Sequence, residues 1–422
     1  MLENAILKYK RYEDNKRVQD LGIAIVHTHS EFMGSACTKL WYYNYYKAYS
    51  TEGFRASLVY GSLFHLVVEE VIKNRVLIDS EPSTNKYFLD ILKTKKTELA
   101  DKISMNLNDQ DFSLFDEEID SCEKRIINII DEWIKVWDED ILSRFDVIAT
   151  EKVLIKPIRD IDGEQYKTSV IVDVLYDEDN KDIVMIQSDS AFSESKTALM
   201  DVPVYKIGTA DVILQEKSSG HLYIMDHKTT GSVSSYKARL KFDLQLQSYC
   251  NLLNYEINFG SMQEYKDCRV AGVIWDISSS KTPAIAKRLI SGKLSTAKKA
   301  YPYWQYIKAI KEYNLNIEDY KDHINYLQDM SWKYVSIEED VFSYEQLARI
   351  DHEDLIYSDR INSMREKLQR ITHEDHADAI VARFPQCQAY NSCSFMAPCL
   401  ANTPYSVILN EQAPVFSWLV IK

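Results

Sequence analysis

The stretch from Tyr205 to Thr230 (YKIGTADVILQEKSSGHLYIMDHKTT) holds the residues best placed to do chemistry. Asp211 lies within a first strand-like run, in Gly208-Thr-Ala-Asp211. Asp226 closes a second, apolar run (Leu222, Tyr223, Ile224, Met225), and His227 and Lys228 follow it. The turn Lys217-Ser-Ser-Gly220 between them is a hairpin signal. Side chains alternate along a strand, so Asp226 and Lys228 share a face. If the two strands pair, Asp211 and Asp226 converge near one end of the sheet. Two carboxylates beside a lysine are what metal-assisted phosphodiester hydrolysis needs. Carboxylate oxygens hold Mg²⁺ or Mn²⁺, and the metal polarises the phosphoryl oxygen and lowers the pKa of a bound water. The ammonium orients that water and stabilises developing negative charge. Asp and Lys are also common at strand ends, so a D-x-K step carries weight only through the apolar strand before it and the G-x-x-D upstream.

Two further spacings stand on either side. Gly61-Ser-Leu-Phe-His65-Leu-Val-Val-Glu69 sits in a helical pattern in which Leu63, Leu66, Val67 and Val71 share a face. Gln245-Leu-Gln-Ser-Tyr249 places two polar side chains one helical turn apart. Each has a plain structural reading: a core histidine, a polar pair on an amphipathic helix, and a Glu69 that only pairs with a neighbour. Glu151 opens the first strand and is a candidate to assist the site.

The order of these signatures along the chain resembles the PD-(D/E)xK nuclease superfamily, in its RecB-like branch. The resemblance implies that His65 gives an imidazole to the metal, that Asp211 and Asp226 are carboxylate ligands, and that the His227 backbone carbonyl is another. It makes Lys228 the catalytic lysine, with Gln245 and Tyr249 lining the site. Some members of that branch hold a [4Fe–4S] cluster on four cysteines, one near the N-terminus and three near the C-terminus. The counterparts here are Cys37, Cys387, Cys393 and Cys399. Thiolates select Fe–S clusters or zinc. The tail reads C-x5-C-x5-C where the branch usually shows C-x2-C-x5-C, and zinc normally favours shorter steps. A cluster, a zinc site and plain buried thiols therefore all stay open. Cys122, Cys250 and Cys268 are scattered and read as ordinary buried thiols.

Composition narrows the field. The chain has 422 residues, 45% hydrophobic and 27% charged, with eleven glycines and nine prolines. So few turn-formers disfavour an all-β sandwich and any Gly-rich nucleotide loop. No G-x-G-x-x-G is present, the only Gly-Lys step (Gly292-Lys293) runs into Leu294, and there is no G-x-S-x-G. Rossmann dehydrogenases, Walker-type motors and elbow-type hydrolases drop out, and any unwinding needs a helicase partner. The net charge of −14 repels nucleic acid overall, so a local basic patch has to supply binding. From Lys281 to Lys311 there are eight basic residues and no acidic one, Lys287, Arg288, Lys298 and Lys299 among them. Tyr301, Tyr303, Trp304 and Tyr306 interleave near its end. Basic residues with aromatics suit single-stranded nucleic acid; a solvated basic helix with core aromatics is the plain alternative. Lys237, Arg239 and Lys241 add a second basic run just past the D-x-K step.

The elements that position these residues follow from periodicity. Residues 1–145 read mostly helical. Strands fit 147–156, 168–176, 183–187, 204–215 and 221–227. A helix fits 236–256, then a strand 269–277, helices from 281 to about 330, and a helix near 344–378 before the cysteine-bearing tail. His27-Thr-His29 reads as a loop or polar face, Asp177 to Asp182 as a solvated turn, and His373 and His376 as a pair on a charged helix.

The expected fold is therefore α/β: a restriction-endonuclease-like mixed β-sheet flanked by helices, with a helical N-terminal region and a C-terminal Fe–S tail. The expected units are 1–145 (helical, with Cys37 and His65), 146–280 (nuclease core), 281–345 (basic, DNA contact) and 346–422 (helix and tail). The expected function is an Mg²⁺- or Mn²⁺-dependent deoxyribonuclease on single strands or DNA ends, more an exonuclease than a site-specific endonuclease. The alternatives are a catalytically silent nucleic-acid-binding subunit of a recombination or CRISPR-adaptation complex, and a zinc-stapled structural protein. No membrane span or signal region is read, so the expected place is the cytoplasm, or the host cytoplasm for a phage-encoded chain.

Overall fold

The computed structural model describes residues 15–369, except 22–23, 38–40, 43–48, 52–55, 79–81, 105–108, 177–181, 186–195, 241–242, 285 and 298–300, together with 409–411 and 419–420. Cys387, Cys393, Cys399, Lys241, Lys298, Lys299, the pair His373 and His376, and most of the Asp177–Asp182 turn lie outside the described residues.

A mixed sheet organises the chain. Its strands are β1 (Ala24–Thr28), β2 (Phe145–Pro157), β3 (Lys167–Tyr176), β4 (Asp182–Met185), β5 (Lys196–Glu216), β6 (Leu222–Thr230), β7 (Val270–Ser279), β8 (Val335–Val341) and β9 (Leu419–Val420). The order through the centre is β9-β1-β5-β6-β7-β8, with β2 and β3 also on the long β5 and β4 beyond β3. β5 and β6 are an antiparallel hairpin, whereas β6 and β7 run parallel. That parallel step forces a crossover, which a helix supplies.

Helices cover both faces. On one side lie α2 (Ala56–Lys73), α3 (Lys86–Ser104) and α4 (Asp109–Val136), preceded in the chain by the short α1 (His29–Gly34). Val67, Val71, Ile126, Ile130 and Trp133 from this layer pack on Val212, Tyr223, Met225 and Ile274 of the sheet. On the other side the crossover helix α5 (Gln245–Phe259) buries Leu246, Leu252 and Leu253 against Ile213, Leu222, Ile224 and Val273. The alternation of Leu222, Tyr223, Ile224 and Met225 between the two cores shows why β6 is continuously apolar: it is buried on both faces. α6 (Tyr303–Glu312) and α7 (Lys321–Asp329) form a small satellite core, and the long α8 (Tyr344–Gln369) lies beside α5. Lys156 and Lys206, opposite one another on β2 and β5, pair with Asp351 and Asp354 of α8 and tie it to the sheet.

Three expectations need correction. The described residues of 281–302 are irregular rather than helical, with Pro283, Gly292 and Pro302 to interrupt a helix. Ala24–Thr28 is a buried strand, with His27 in the core and its Nδ1 2.9 Å from Glu31 Oε2. β8 falls in a segment whose pattern suggested no strand. The strands 145–157, 167–176 and 222–230 match their expected positions within a few residues. Among the described residues no helix is long and apolar enough to cross a membrane.

Candidate active site

The register of β5 on β6 runs through Val212↔Met225, and one further step sets Asp211 against Asp226. Asp211 Oδ2 accepts a hydrogen bond from the His227 backbone N–H at 2.9 Å. This side-chain contact replaces the ladder where the two strands part. Asp226 and Lys228 share a face of β6, with Lys228 Nζ 2.7 Å from Asp226 Oδ2. α2 brings His65 in, with Nδ1 3.3 Å from Asp211 Oδ2. The carboxylates are buried, while His65 and Lys228 are half-buried and open the cluster to solvent. Two distant segments thus bring together the expected residues His65, Asp211, Asp226 and Lys228.

Gln245, at the first turn of α5, accepts from Lys228 Nζ at 3.1 Å through Oε1, and its Nε2 donates to Tyr249 Oη at 3.1 Å. The Q-x-x-x-Y spacing is therefore a two-step brace on the lysine. Gly208 makes room for it. A Cβ at that position would lie 2.6 Å from Tyr249 Cε1, so the glycine of G-x-x-D is a packing requirement of the tyrosine. Gly61 plays the same part for α2, where a Cβ would meet Thr229 Oγ1 of β6 at 3.1 Å.

The electrostatics divide the two acids. Burial would raise Asp211, but the hydrogen bond and charge of His65, with His227, outweigh it and hold this carboxyl below the usual range. Burial pushes Asp226 up to about 6, against the pull of Lys228 and reinforced by the Asp211 charge. Burial would lower Lys228, yet the Asp226 carboxylate beside it raises it above the usual lysine range. With the Asp226 carboxylate beside it, Lys228 is held as an ammonium that donates hydrogen bonds.

Two participants escape the sequence patterns. The first is Asp276 of β7, fully buried, whose Oδ2 lies 2.6 Å from His227 Nδ1 and accepts from Trp133 Nε1 at 2.6 Å. It fixes the His227 ring on the α4 side of the sheet and with it the peptide between Asp226 and Lys228. The register Asp226↔Trp275, His227↔Asp276 places it there, and a lone Asp inside an apolar run (RVAGVIWDI) was its only trace. The second is His29 at the start of α1. Burial, then the charges of Lys206 and Lys228, lower it to about 3, so its imidazole is neutral.

Glu151 lies between the pairs Thr150↔Val212 and Lys152↔Ala210, across from Asp211, with a φ of 47°. Positive φ is costly for a residue with a side chain, so the chain holds this carboxylate-bearing position under strain beside the acidic pair. Glu69 pairs with Lys73 one turn on, as its plain reading had it. Lys237 Nζ is 2.5 Å from Glu338 Oε1 and 3.3 Å from Ser336 Oγ. Arg239 is exposed with its guanidinium over Tyr236, and Lys287 and Arg288 are exposed. Tyr301 and Tyr306 are core residues of the satellite, so of the four aromatics only Tyr303 and Trp304 reach its surface. Cys37 is half-buried after α1; Cys122 and Cys250 are buried, and Cys268 is half-buried.

The donors suit a divalent cation in kind: two carboxylates and the carbonyl of His227 are hard oxygen ligands, and the His65 imidazole is a borderline nitrogen ligand beside them. Asp226 Oδ2 is buried outside hydrogen-bond geometry, with the Lys228 ammonium as its near counter-charge. Among the described residues no three acidic, histidine or cysteine side chains stand close enough together to hold an ion as they are. Asp211 is turned to His65 and the His227 N–H, and Asp226 to Lys228, so these side chains would have to close on a cation. A family model described as the PD-(D/E)XK nuclease superfamily matches residues 34–399. No curated protein matches the chain.

Proposed function

The chain belongs to the PD-(D/E)XK nuclease superfamily, and from that premise we propose that it is a metal-dependent deoxyribonuclease of the RecB-like kind, acting on single strands or DNA ends. The observation that carries this reading is the Asp211, Asp226, Lys228 cluster, with His65 at 3.3 Å from one acid and the lysine at 2.7 Å from the other. His65, Asp211, Asp226 and the His227 carbonyl would hold Mg²⁺ or Mn²⁺, which when bound polarises the phosphate and acidifies water. Lys228 donates hydrogen bonds to the negative charge that develops on the phosphoryl oxygens. Gln245 takes one of its protons as a hydrogen bond and so fixes the direction of the others. Tyr249 in turn orients the Gln245 amide. Asp276 holds His227, and through it the peptide that spaces Asp226 from Lys228.

Arg239, Lys287 and Arg288 are exposed cations suited to the phosphate backbone, with Lys241, Lys298 and Lys299 as further contacts; Lys237 would first have to leave Glu338. Cys37, Cys387, Cys393 and Cys399 would bind a [4Fe–4S] cluster or zinc. A helicase or recombination partner would supply unwinding.

The test is digestion of end-labelled single-stranded DNA with Mn²⁺ or Mg²⁺, with EDTA and Lys228→Ala as controls. Digestion that depends on both metal and Lys228 is expected. Full activity in Lys228→Ala would remove the assigned site, and absence of cutting on any strand, with binding intact, would favour the silent binding subunit. The visible spectrum of an anaerobic preparation separates an iron–sulfur cluster from zinc.

A further inference from the structure

Between β7 and α6 the chain makes a small hairpin. Arg288 and Leu294 form an antiparallel bridge. Leu289 N–H donates to Lys293 O at 2.7 Å, and Gly292 N–H to Leu289 O at 2.9 Å. Gly292 takes a φ of 82°, which the tight turn needs and glycine supplies without strain. Arg288 Nε donates back to Gly292 O at 2.9 Å and locks the loop across its neck. The base is anchored: Ala286 and Leu294 are buried in the satellite core, and Leu294 N–H donates to Tyr320 Oη at 3.1 Å. The tip is the opposite. Leu289 is 49% exposed and Ile290 fully exposed, at 108%.

A rigid hairpin that offers two large aliphatic side chains to water incurs a solvation cost with no packing return. Its flanks are cationic, with Lys287, Arg288 and Lys293 all exposed. The chain leaves the sheet for this hairpin beside the end of β6. Ser280 N–H donates to Thr230 O at 2.9 Å, two residues past Lys228 on the same strand, and Arg125 holds Ser280 O at 3.0 Å.

We propose that this hairpin is a wedge for duplex ends, with Leu289 and Ile290 entering beside the terminal base pair while Lys287, Arg288 and Lys293 hold the flanking phosphates. Apolar side chains that insert between bases unstack them at a cost of a few kcal/mol per step, which the phosphate contacts offset. The partner is nucleic acid rather than an apolar protein surface, because the basic segment around the tip carries no carboxylate in a chain of net charge −14. The wedge extends the nuclease reading by giving the site a means to accept ends that are still paired.

The test uses the full chain with Leu289→Ala and Ile290→Ala together. Both side chains are exposed, so the melting curve should not move. With Lys228→Ala added to prevent cutting, a blunt duplex carrying 2-aminopurine at its terminal pair should brighten on binding, and should not brighten with the double substitution. In the cutting-competent background, digestion of blunt duplex should fall about tenfold, equivalent to about 1.4 kcal/mol, while digestion of single strands stays unchanged. Equal brightening and equal duplex digestion in the double variant would overturn the wedge. Equal losses on single strands and duplexes would overturn it in favour of a general binding role. A change of oligomeric state without a change in end opening would assign the tip to a protein contact. Failure of the wild type to cut any DNA would count against the nuclease reading alone, since the fluorescence arm needs no cleavage.

Discussion

Gly208→Ala tests the link between the G-x-x-D strand and the lysine. Gly208 has ordinary extended backbone in β5, so alanine brings no conformational strain, only a methyl group. That methyl would lie 2.6 and 3.0 Å from Tyr249 Cε1 and Cδ1 and 3.1 Å from Leu252 Cδ1. Real contacts of this kind need another half to one ångström, and Tyr249 and Leu252 are buried in the α5 core. The ring therefore has to shift, and overpacking of this sort costs about 1–3 kcal/mol. The shift also reaches the site. Gln245 holds both Tyr249 Oη and Lys228 Nζ at 3.1 Å, close to the limit of a useful hydrogen bond, so displacing the hydroxyl frees the amide and the lysine. A misplacement near 1 Å can cost about a hundredfold in rate. Urea titrations of wild type, Gly208→Ala, Tyr249→Leu and the double variant would measure this. We expect the double variant to be more stable than the sum of the singles by about 1 kcal/mol or more, because leucine vacates the space the methyl needs. A Gly208→Ala protein with wild-type stability and full nuclease rate would refute the packing account, and so would strict additivity.

Asp276→Ala should leave the His227 and Trp133 N–H groups buried and unpaired and cost about 3–5 kcal/mol, with Asp276→Asn milder. Burial would lower His227, but Asp276 raises it above its usual 6.5. Stability from this pair is therefore full below pH 6.5 and is lost as pH rises through the raised value. Melting curves across pH should show that slope in the wild type and not in Asp276→Asn. Burial pushes Glu132 of α4, which accepts from Trp304 N–H, up to about 7 from 4.5. The folded protein then keeps a proton the unfolded chain releases, and stability falls by at most about 3 kcal/mol as pH rises from 4.5 to 7. Glu132→Gln should flatten that fall, and parallel curves for the two proteins would disprove the assignment.

The site was legible in the sequence where its spacing belongs to a single element. D-x-K reads as one face of a strand because the period is two, and Q-x-x-x-Y reads as one face of a helix because four residues make about one turn. Those rules placed Lys228 against Asp226 and Tyr249 against Gln245. Asp276 was out of reach because its partner is across a parallel pair, and nothing local distinguishes it from a strand-end acid. Glu151 was a bare candidate until register set it across from Asp211 and the backbone placed it at positive φ. The buried strand β1 was missed because a short apolar run has no period to separate it from a helix. The described residues of 281–302 depart from the expected helix, and Pro283, Gly292 and Pro302 are the residues there that oppose one.

The contact of Gly61 with Thr229 also has a consequence for how this chain can change length. Gly61 marks where α2 touches β6, and His65 projects one turn further on. A single inserted residue between them would turn the imidazole by about 100° and advance it by about 1.5 Å, away from Asp211, whereas four inserted residues would nearly restore its direction one turn too high. On β6 the rule differs: one residue inserted between Asp226 and Lys228 sends the lysine to the Trp133 side of the sheet, and two return it. The helix and the strand thus read insertions in different units, and no single insertion length keeps both in phase and in place. The acidic cluster therefore fixes the length of both elements that carry it.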